Sequence, residues 1–200
     1  MRLSIPLLVV TGLTSTIIPA VAETNGSTRN LPYTYLTGGI VHATYKEENT
    51  ENETVAGYRF NDIDISENGF IIGVGHRPHK NIAFQFDYMT GWEGKYQTGV
   101  PVIPELDVGI DGFGLSSLLI LPAGSVEPYL RLGLARYESE VTYQGLSFGE
   151  SDHRFLAGIG AEVLLGKQLL LRGEYTRFAE NFSGFSLNLV FPLQPVGDGK

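Results

Sequence analysis

The sequence predicts an all-β fold: an eight-stranded antiparallel transmembrane β-barrel, wound as an up-and-down meander. Three observations predict it. The 200-residue chain opens on an export signal, most of its remainder alternates large apolar residues with small or charged ones, and its connections alternate between short and long.

The N-terminus decides which solvent the rest must satisfy. Met1-Arg2 is a short positive region and Leu3 to Pro19 is apolar but broken by Pro6, Gly12 and a Thr/Ser cluster. Ala20-Val21-Ala22 then supplies a small-x-small cleavage site before Glu23. The apolar run is too short and too interrupted to cross a bilayer as a helix. We therefore read 1–22 as a signal peptide, 23–32 as a disordered N-terminus, 33–191 as the barrel and 192–200 as a short periplasmic tail. The chain has no Cys, which excludes disulfides, thiol catalysis, thiolate metal sites and lipid attachment at Cys.

Eight stretches follow as strands: Tyr33–Tyr45, Gly69–Arg77, Asn81–Thr90, Leu106–Leu121, Pro128–Glu140, His153–Leu165, Gln168–Phe178 and Gly184–Phe191. Most reach the roughly 9–11 residues that a tilted strand needs to cross a membrane. The faces separate cleanly in five of them. Ile82, Phe84, Phe86 and Tyr88 oppose Ala83, Gln85, Asp87 and Met89; Leu130, Leu132 and Leu134 oppose Arg131, Gly133 and Ala135. Phe155, Ala157, Ile159, Ala161 and Val163 oppose Leu156, Gly158, Gly160 and Glu162. Leu169, Leu171 and Tyr175 oppose Arg172, Glu174 and Thr176, and Phe185, Leu187, Leu189 and Phe191 oppose Ser186, Asn188 and Val190. The second strand is less clean, and in the first and fourth the lipid face is not assignable. A soluble sandwich would cover its second face with Lys, Glu and Thr. Glycine with a few charges instead suits the narrow interior of a small barrel. A soluble lipocalin-like barrel shares the strand pattern and stays open as an alternative.

The connections carry the third signal. Arg77–Asn81, Pro122–Glu127 and Gly166-Lys167 have turn chemistry, whereas Lys46–Asn68, Gly91–Glu105 and Ser139–Asp152 are longer and polar. Short periplasmic turns with longer external loops are the usual asymmetry of membrane barrels. Aromatic residues near strand ends, Tyr33, Tyr35, Tyr45, Tyr88, Trp92, Tyr129, Tyr137, Tyr175, Phe178 and Phe191, are expected to form the interfacial girdles. Without residues 1–22 the chain carries 13 Lys+Arg against 22 Asp+Glu, a balance that argues against nucleic acid.

Assembled this way, the chain resembles the small outer-membrane β-barrel family that includes the OmpA transmembrane domain and OmpX. The segment Glu127-Pro-Tyr-Leu-Arg-Leu-Gly-Leu-Ala-Arg-Tyr137 is similar to that family's P-Y-x-x-x-G-x-G-x-x-Y strand, with Ala135 where the second Gly is usual. Phe155–Glu162 followed by Leu170–Tyr175 is similar to its sixth and seventh strands. The resemblance implies a bacterial outer-membrane location, contact with outer-membrane lipid and lipopolysaccharide, and insertion by the barrel-assembly machinery. Members usually end on the aromatic residue of the last strand; here Pro192–Lys200 follows Phe191.

The resemblance also implies a charged network in the lumen. Arg131, Glu162, Arg172 and Glu174 are expected to point inward at similar heights, with Gln85 and Asp87 joining them. Such charges must pair. They form either a salt-bridge plug or a gated ion path. His76-Arg-Pro-His79 lacks a third ligand for a metal. Asp62-Ile-Asp-Ile-Ser66 starts like a calcium loop without its Gly at the sixth position or its Glu at the twelfth. Glu150, Ser151 and His153 form the one local Ser/His/acid cluster. No cofactor, metal or catalytic set is expected. The expected role is a non-enzymatic barrel whose loops serve envelope integrity, adhesion or contact with a host or surface ligand. A narrow channel or carrier of small hydrophobic molecules is the alternative, and a lipid A-modifying enzyme the third.

Overall fold

A computed structural model describes residues 31–47, 54–55, 58–59, 62–100, 103–165 and 169–193. The expected signal peptide, most of the expected N-terminal segment and residues 194–200 of the tail lie outside them. The barrel strands are β1 (Tyr33–Glu47), β2 (Ile63–His79), β3 (Ile82–Val100), β4 (Ile103–Ile120), β5 (Val126–Tyr143), β6 (Leu146–Leu164), β7 (Leu170–Arg177) and β8 (Phe182–Pro192). Each pairs antiparallel with its chain neighbours, and β1 pairs with β8 from Tyr35↔Pro192 to Tyr45↔Phe182, so the sheet closes. Closure matters because an unpaired backbone edge in lipid is prohibitively costly.

The alternation becomes two faces. Outside, Leu36 and Ile40 of β1, Phe70, Ile72 and Val74 of β2, and Phe113, Leu115 and Leu119 of β4 are exposed, which settles the three strands whose faces were unclear. On β5 the outward run from Val126 to Leu134 covers about 26 Å along the strand at ~3.3 Å per residue. Exposed large apolar residues on all eight strands form a continuous belt of a kind that soluble monomers rarely expose. Above it the outer face of β1 and β2 turns polar, with His42 against Asn68, Thr44 against Ser66 and Lys46 against Asp64.

Three expectations are corrected. Gly91–Glu105 and Ser139–Asp152 are largely strand, not loop: β5 and β6 run to a tight turn at Gln144-Gly145, where φ is 49° and 81°. Two consecutive positive φ values define the turn that matches strand twist. The clean alternation of β3 up to Met89 is interrupted by a bulge between Met89 and Trp92, with Gly91 at φ 72°. The extra residue shifts the inward set from odd to even numbers, and Trp92, Tyr96 and Thr98 are buried. The long first connection is also partly strand: β2 begins at Ile63, and Thr54–Val55 pairs with Tyr58–Arg59. Third, five of the expected girdle aromatics (Tyr33, Tyr35, Trp92, Tyr129 and Phe178) are buried in the lumen, while Tyr88, Tyr175 and Phe191 face outward. Their places near strand ends could not distinguish the faces; parity does.

The wall is uneven. β3 to β6 rise well above the belt, while β7 stops at Arg177 and reaches β8 through Phe178–Asn181, where the amides of Phe178 and Ala179 donate to Phe182 O.

Candidate functional site

The lumen is filled in layers. Toward the short-turn end Tyr33, Tyr35, Ala83, Leu118, Ile120, Tyr129, Leu170 and Val190 form one apolar cluster. Toward the opposite end, where the wall is tall, Val41, Ala43, Ile65, Met89, Trp92, Tyr96, Ile110, Phe178 and Phe182 form another. Trp92 stacks edge-on against Phe182 with ring centres 5.5 Å apart, and its indole N–H donates to Ala43 O at 3.0 Å. Phe178, Phe182 and Tyr137 extend that aromatic layer across the mouth.

Between the clusters lies the polar layer. Arg131 Nη1 donates to Glu174 Oε1 at 2.8 Å, its Nε to Ser116 Oγ at 3.0 Å, and its Nη2 to the Asp87 carboxylate. Gln85 Nε2 donates to Asp87 Oδ1 at 2.7 Å, and Gln85 Oε1 accepts from Tyr35 Oη at 2.8 Å and from Arg172. Arg172 Nε donates to Glu162 Oε1 at 2.9 Å, with a second guanidinium nitrogen on the same oxygen. Tyr129 Oη and Thr176 Oγ1 complete Glu174 at 2.6 and 2.5 Å. All six residues expected at this site are thus brought together, from β3, β5, β6 and β7, and each is buried.

Small residues make the crossing geometry feasible. An added Cβ on Gly73 would fall 2.4 Å from Asp87 Oδ1, and one on Gly160 2.4 Å from Tyr129 Oη. The Arg172 guanidinium lies 5.3 Å from the Tyr35 ring centre and 5.5 Å from that of Tyr129, so its charge meets ring faces as well as carboxylates.

Two members were missed. Arg77 Nη1 donates to Glu127 Oε2 at 2.7 Å and stands 3.7 Å from Glu162 Oε2, so the network continues toward the short-turn end. Arg77 was read as the last residue of its strand and the first of a turn, and Glu127 as a turn residue. The available signal was parity: Arg77 follows Gly73 and Gly75 on the inward face, and Glu127 precedes Tyr129 and Arg131.

The other candidates do not assemble. Glu150 lies on the opposite strand face from Ser151 and His153, and the Ser151 hydroxyl accepts from Arg136 at 3.4 Å. His76 engages Thr34, whereas His79 Nδ1 accepts from the Asn81 amide at 3.3 Å. Asp64, in the calcium-like stretch, lies within β2 and pairs with Lys46 at 2.9 Å. Among the described residues no His/Cys/Asp/Glu group is arranged to hold a metal ion.

A closed eight-stranded ring with an apolar belt and a packed, ion-paired interior defines a small transmembrane barrel. The chain belongs to the outer membrane protein beta-barrel domain family, whose model matches residues 8–191, and its place is the bacterial outer membrane. No curated protein matches it. Among solved structures it is similar to Neisserial surface protein A, at 15% identity and TM-score 0.57 over 79% of this chain and 96% of that one. It is also similar to OprG from Pseudomonas aeruginosa, at 9% identity and TM-score 0.55 over 84% and 96%. The third is the attachment invasion locus protein Ail of Yersinia pestis, at 11% identity and TM-score 0.52 over 80% and 97%. At such identities the likeness establishes the fold, and function rests on the site.

Proposed function

We propose that this protein is a non-enzymatic, non-conducting outer-membrane barrel that displays the tall β3–β6 wall at the cell surface. The observation that carries the reading is the lumen filling: a buried, ion-paired layer clamped between two apolar clusters favours a plug over a path. Arg131 alone is held by Asp87, Glu174 and Ser116, so opening a route would leave several buried charges without partners. That costs several kcal/mol per ion. In this reading the network is structural, and function lies with the two hairpins above the belt. The belt contacts outer-membrane lipid, and the His42–Asn68, Thr44–Ser66 and Lys46–Asp64 ladder meets lipopolysaccharide head groups. The barrel-assembly machinery inserts the chain, and a host or surface ligand engages the hairpins.

The test is single-channel recording of the purified barrel in planar bilayers. The expected outcome is no openings across the accessible voltage range. Steady conductance, abolished by substitutions at Arg131 or Arg172, would replace the plug with a gate. A second reading, a carrier of small hydrophobic molecules, draws on the inner faces of the same hairpins, where Val108 and Val141 line the approach and Phe148 is 70% exposed.

A further inference from the structure

The apolar belt ends on each strand at a defined outward residue. Above Leu134 of β5, Phe155 of β6 and Tyr175 of β7 stand Arg136, His153 and Arg177, and above Ile40 of β1 stands His42. On β4 the residue above Phe113 is Asp111. At this level the basic residues therefore gather on β5, β6, β7 and β1. Two of them are already engaged by side chains: Arg136 pairs with Glu138 at 3.0 Å, and His42 Nδ1 lies 3.0 Å from Asn68 Oδ1. Arg177 is different. Its Nε and one terminal nitrogen donate to the backbone oxygens of Ala179 and Glu180 at 3.3 and 3.0 Å. Among the described residues no carboxylate pairs with it. Those two bonds hold a guanidinium in place without neutralising it.

The wall around Arg177 is also low. β7 ends at this residue and β8 begins at Phe182, so on this side a layer of lipid head groups meets the barrel directly above the belt. Register then lays one outward row across four strands: Arg177 is opposite Ser183, Ser183 opposite Thr44, and Thr44 opposite Ser66. At ~4.8 Å between strands the row spans roughly 14 Å. Thr44 and Ser66 share one hydrogen bond at 2.8 Å, so one of their two hydroxyl protons is left to donate outward. Lys46 and Asp64 stand in the next row and neutralise each other at 2.9 Å. Below the row Tyr175, Phe185 and Ile40 are exposed on the lipid side.

From this arrangement we infer that the row Arg177, Ser183, Thr44 and Ser66 binds the phosphorylated sugar head group of an outer-leaflet glycolipid. A guanidinium fork matches phosphate geometry, and a phosphomonoester carries about −1.5 to −2 charge on three acceptor oxygens. The hydroxyls reach beyond one phosphate and pair with sugar hydroxyls, which selects a sugar phosphate over the smaller head of a phospholipid. The acyl chains lie along Tyr175, Phe185 and Ile40, a contact that a free anion lacks. The inference rests on the surface-display reading, which puts this rim in the outer leaflet, and it narrows the head-group contact to one row.

The experiment is native mass spectrometry of the full barrel in mild detergent with equal amounts of diphosphoryl lipid A, the same lipid without its phosphates, and phosphatidylglycerol. The expected result is one lipid A retained per barrel, at least about tenfold over either competitor. Arg177→Gln should lower that retention by about tenfold or more, and Arg177→Lys, which keeps the charge but not the fork, should restore part of it. Ser183→Ala with Ser66→Ala should weaken it by roughly fivefold. Arg136→Gln, at the foot of the tall wall, should leave it unchanged. Heat-modifiable migration on unboiled gels checks that each variant has folded. Equal retention of the phosphate-free lipid or of phosphatidylglycerol, full retention by Arg177→Gln, or displacement of lipid A by millimolar inorganic phosphate would overturn the site. The display reading is scored separately: Ser147→Cys, unique in a Cys-free chain, should react with an impermeant maleimide on intact cells, and failure to react would overturn that reading alone.

Discussion

Arg131 on β5 and Glu174 on β7 meet at 2.8 Å although a whole strand, β6, separates them in the wall. They meet because β6 presents glycine between them: Gly158 is paired with Arg131, and Gly160 with Glu174. The salt bridge arches over the bare backbone of its neighbour, and the interior network depends on that vacancy.

Gly160→Ala tests the dependence. Its Cβ would fall 2.4 Å from Tyr129 Oη and 2.6 Å from Gly173 O, and the backbone oxygen cannot yield as a side chain would. We expect a loss of about 1–3 kcal/mol, the usual cost of overpacking a filled interior. Urea unfolding from lipid vesicles measures it; a wild-type midpoint would show that the layer is loosely packed.

Arg131→Met should be more costly, about 3–5 kcal/mol, because it leaves Asp87 and Glu174 buried without their cation. Adding Asp87→Asn and Glu174→Gln should restore much of the loss by removing the stranded charges. Failure of the triple variant to recover would mean that Arg131 acts mainly by packing.

Trp92 is the only tryptophan and is fully buried inside the barrel. Lipids brominated along their acyl chains should therefore leave its fluorescence almost unchanged. An interfacial Trp at the same height would be strongly quenched. Trp92→Phe should keep the stacking on Phe182 but lose the bond to Ala43 O, at a cost of about 1 kcal/mol.

The β3–β4 hairpin carries a titratable clamp outside the membrane. Lys95 donates to Glu105 at 2.7 Å, and the hydrogen bonds from Lys95 and Gln97 hold the Glu105 carboxyl below its ordinary range, while Glu105 raises Lys95. A depressed carboxyl stabilises above its unfolded pKa and loses that contribution as pH falls through the folded value. The raised Lys95 contributes below its unfolded pKa and loses it as pH rises through the folded value. Protection factors of the hairpin amides, taken after division by the intrinsic exchange rate at each pH, should accordingly fall at both acidic and strongly alkaline pH and change little around neutrality. Lys95→Met should return the carbon-detected titration of Glu105 toward the ordinary glutamate range, and high salt should weaken the effect in the parent.

Much of this molecule was legible in the residues alone. Strict alternation on five strands identifies a sheet with one lipid face, and small and charged residues on the other face identify a narrow interior. That a pattern of period 2 is enough follows from strand geometry, in which parity alone assigns a side chain to a face. Parity also placed Gln85, Asp87, Arg131, Glu162, Arg172 and Glu174 inside. What parity cannot supply is partners. Arg172 reaches Gln85 across the barrel, 87 positions away in the chain, and only closure of the ring brings β3 opposite β7. Parity also fails across an inserted residue: the bulge at Gly91 reverses the faces of β3 and moves Trp92 from an expected girdle into the lumen. The sequence by itself therefore determined the barrel and the polarity of its interior, because both depend on local period. The ion-pair order, the height of the wall and the row from Arg177 to Ser66 were decided only by the tertiary structure, because each depends on how neighbouring strands pair and where they stop.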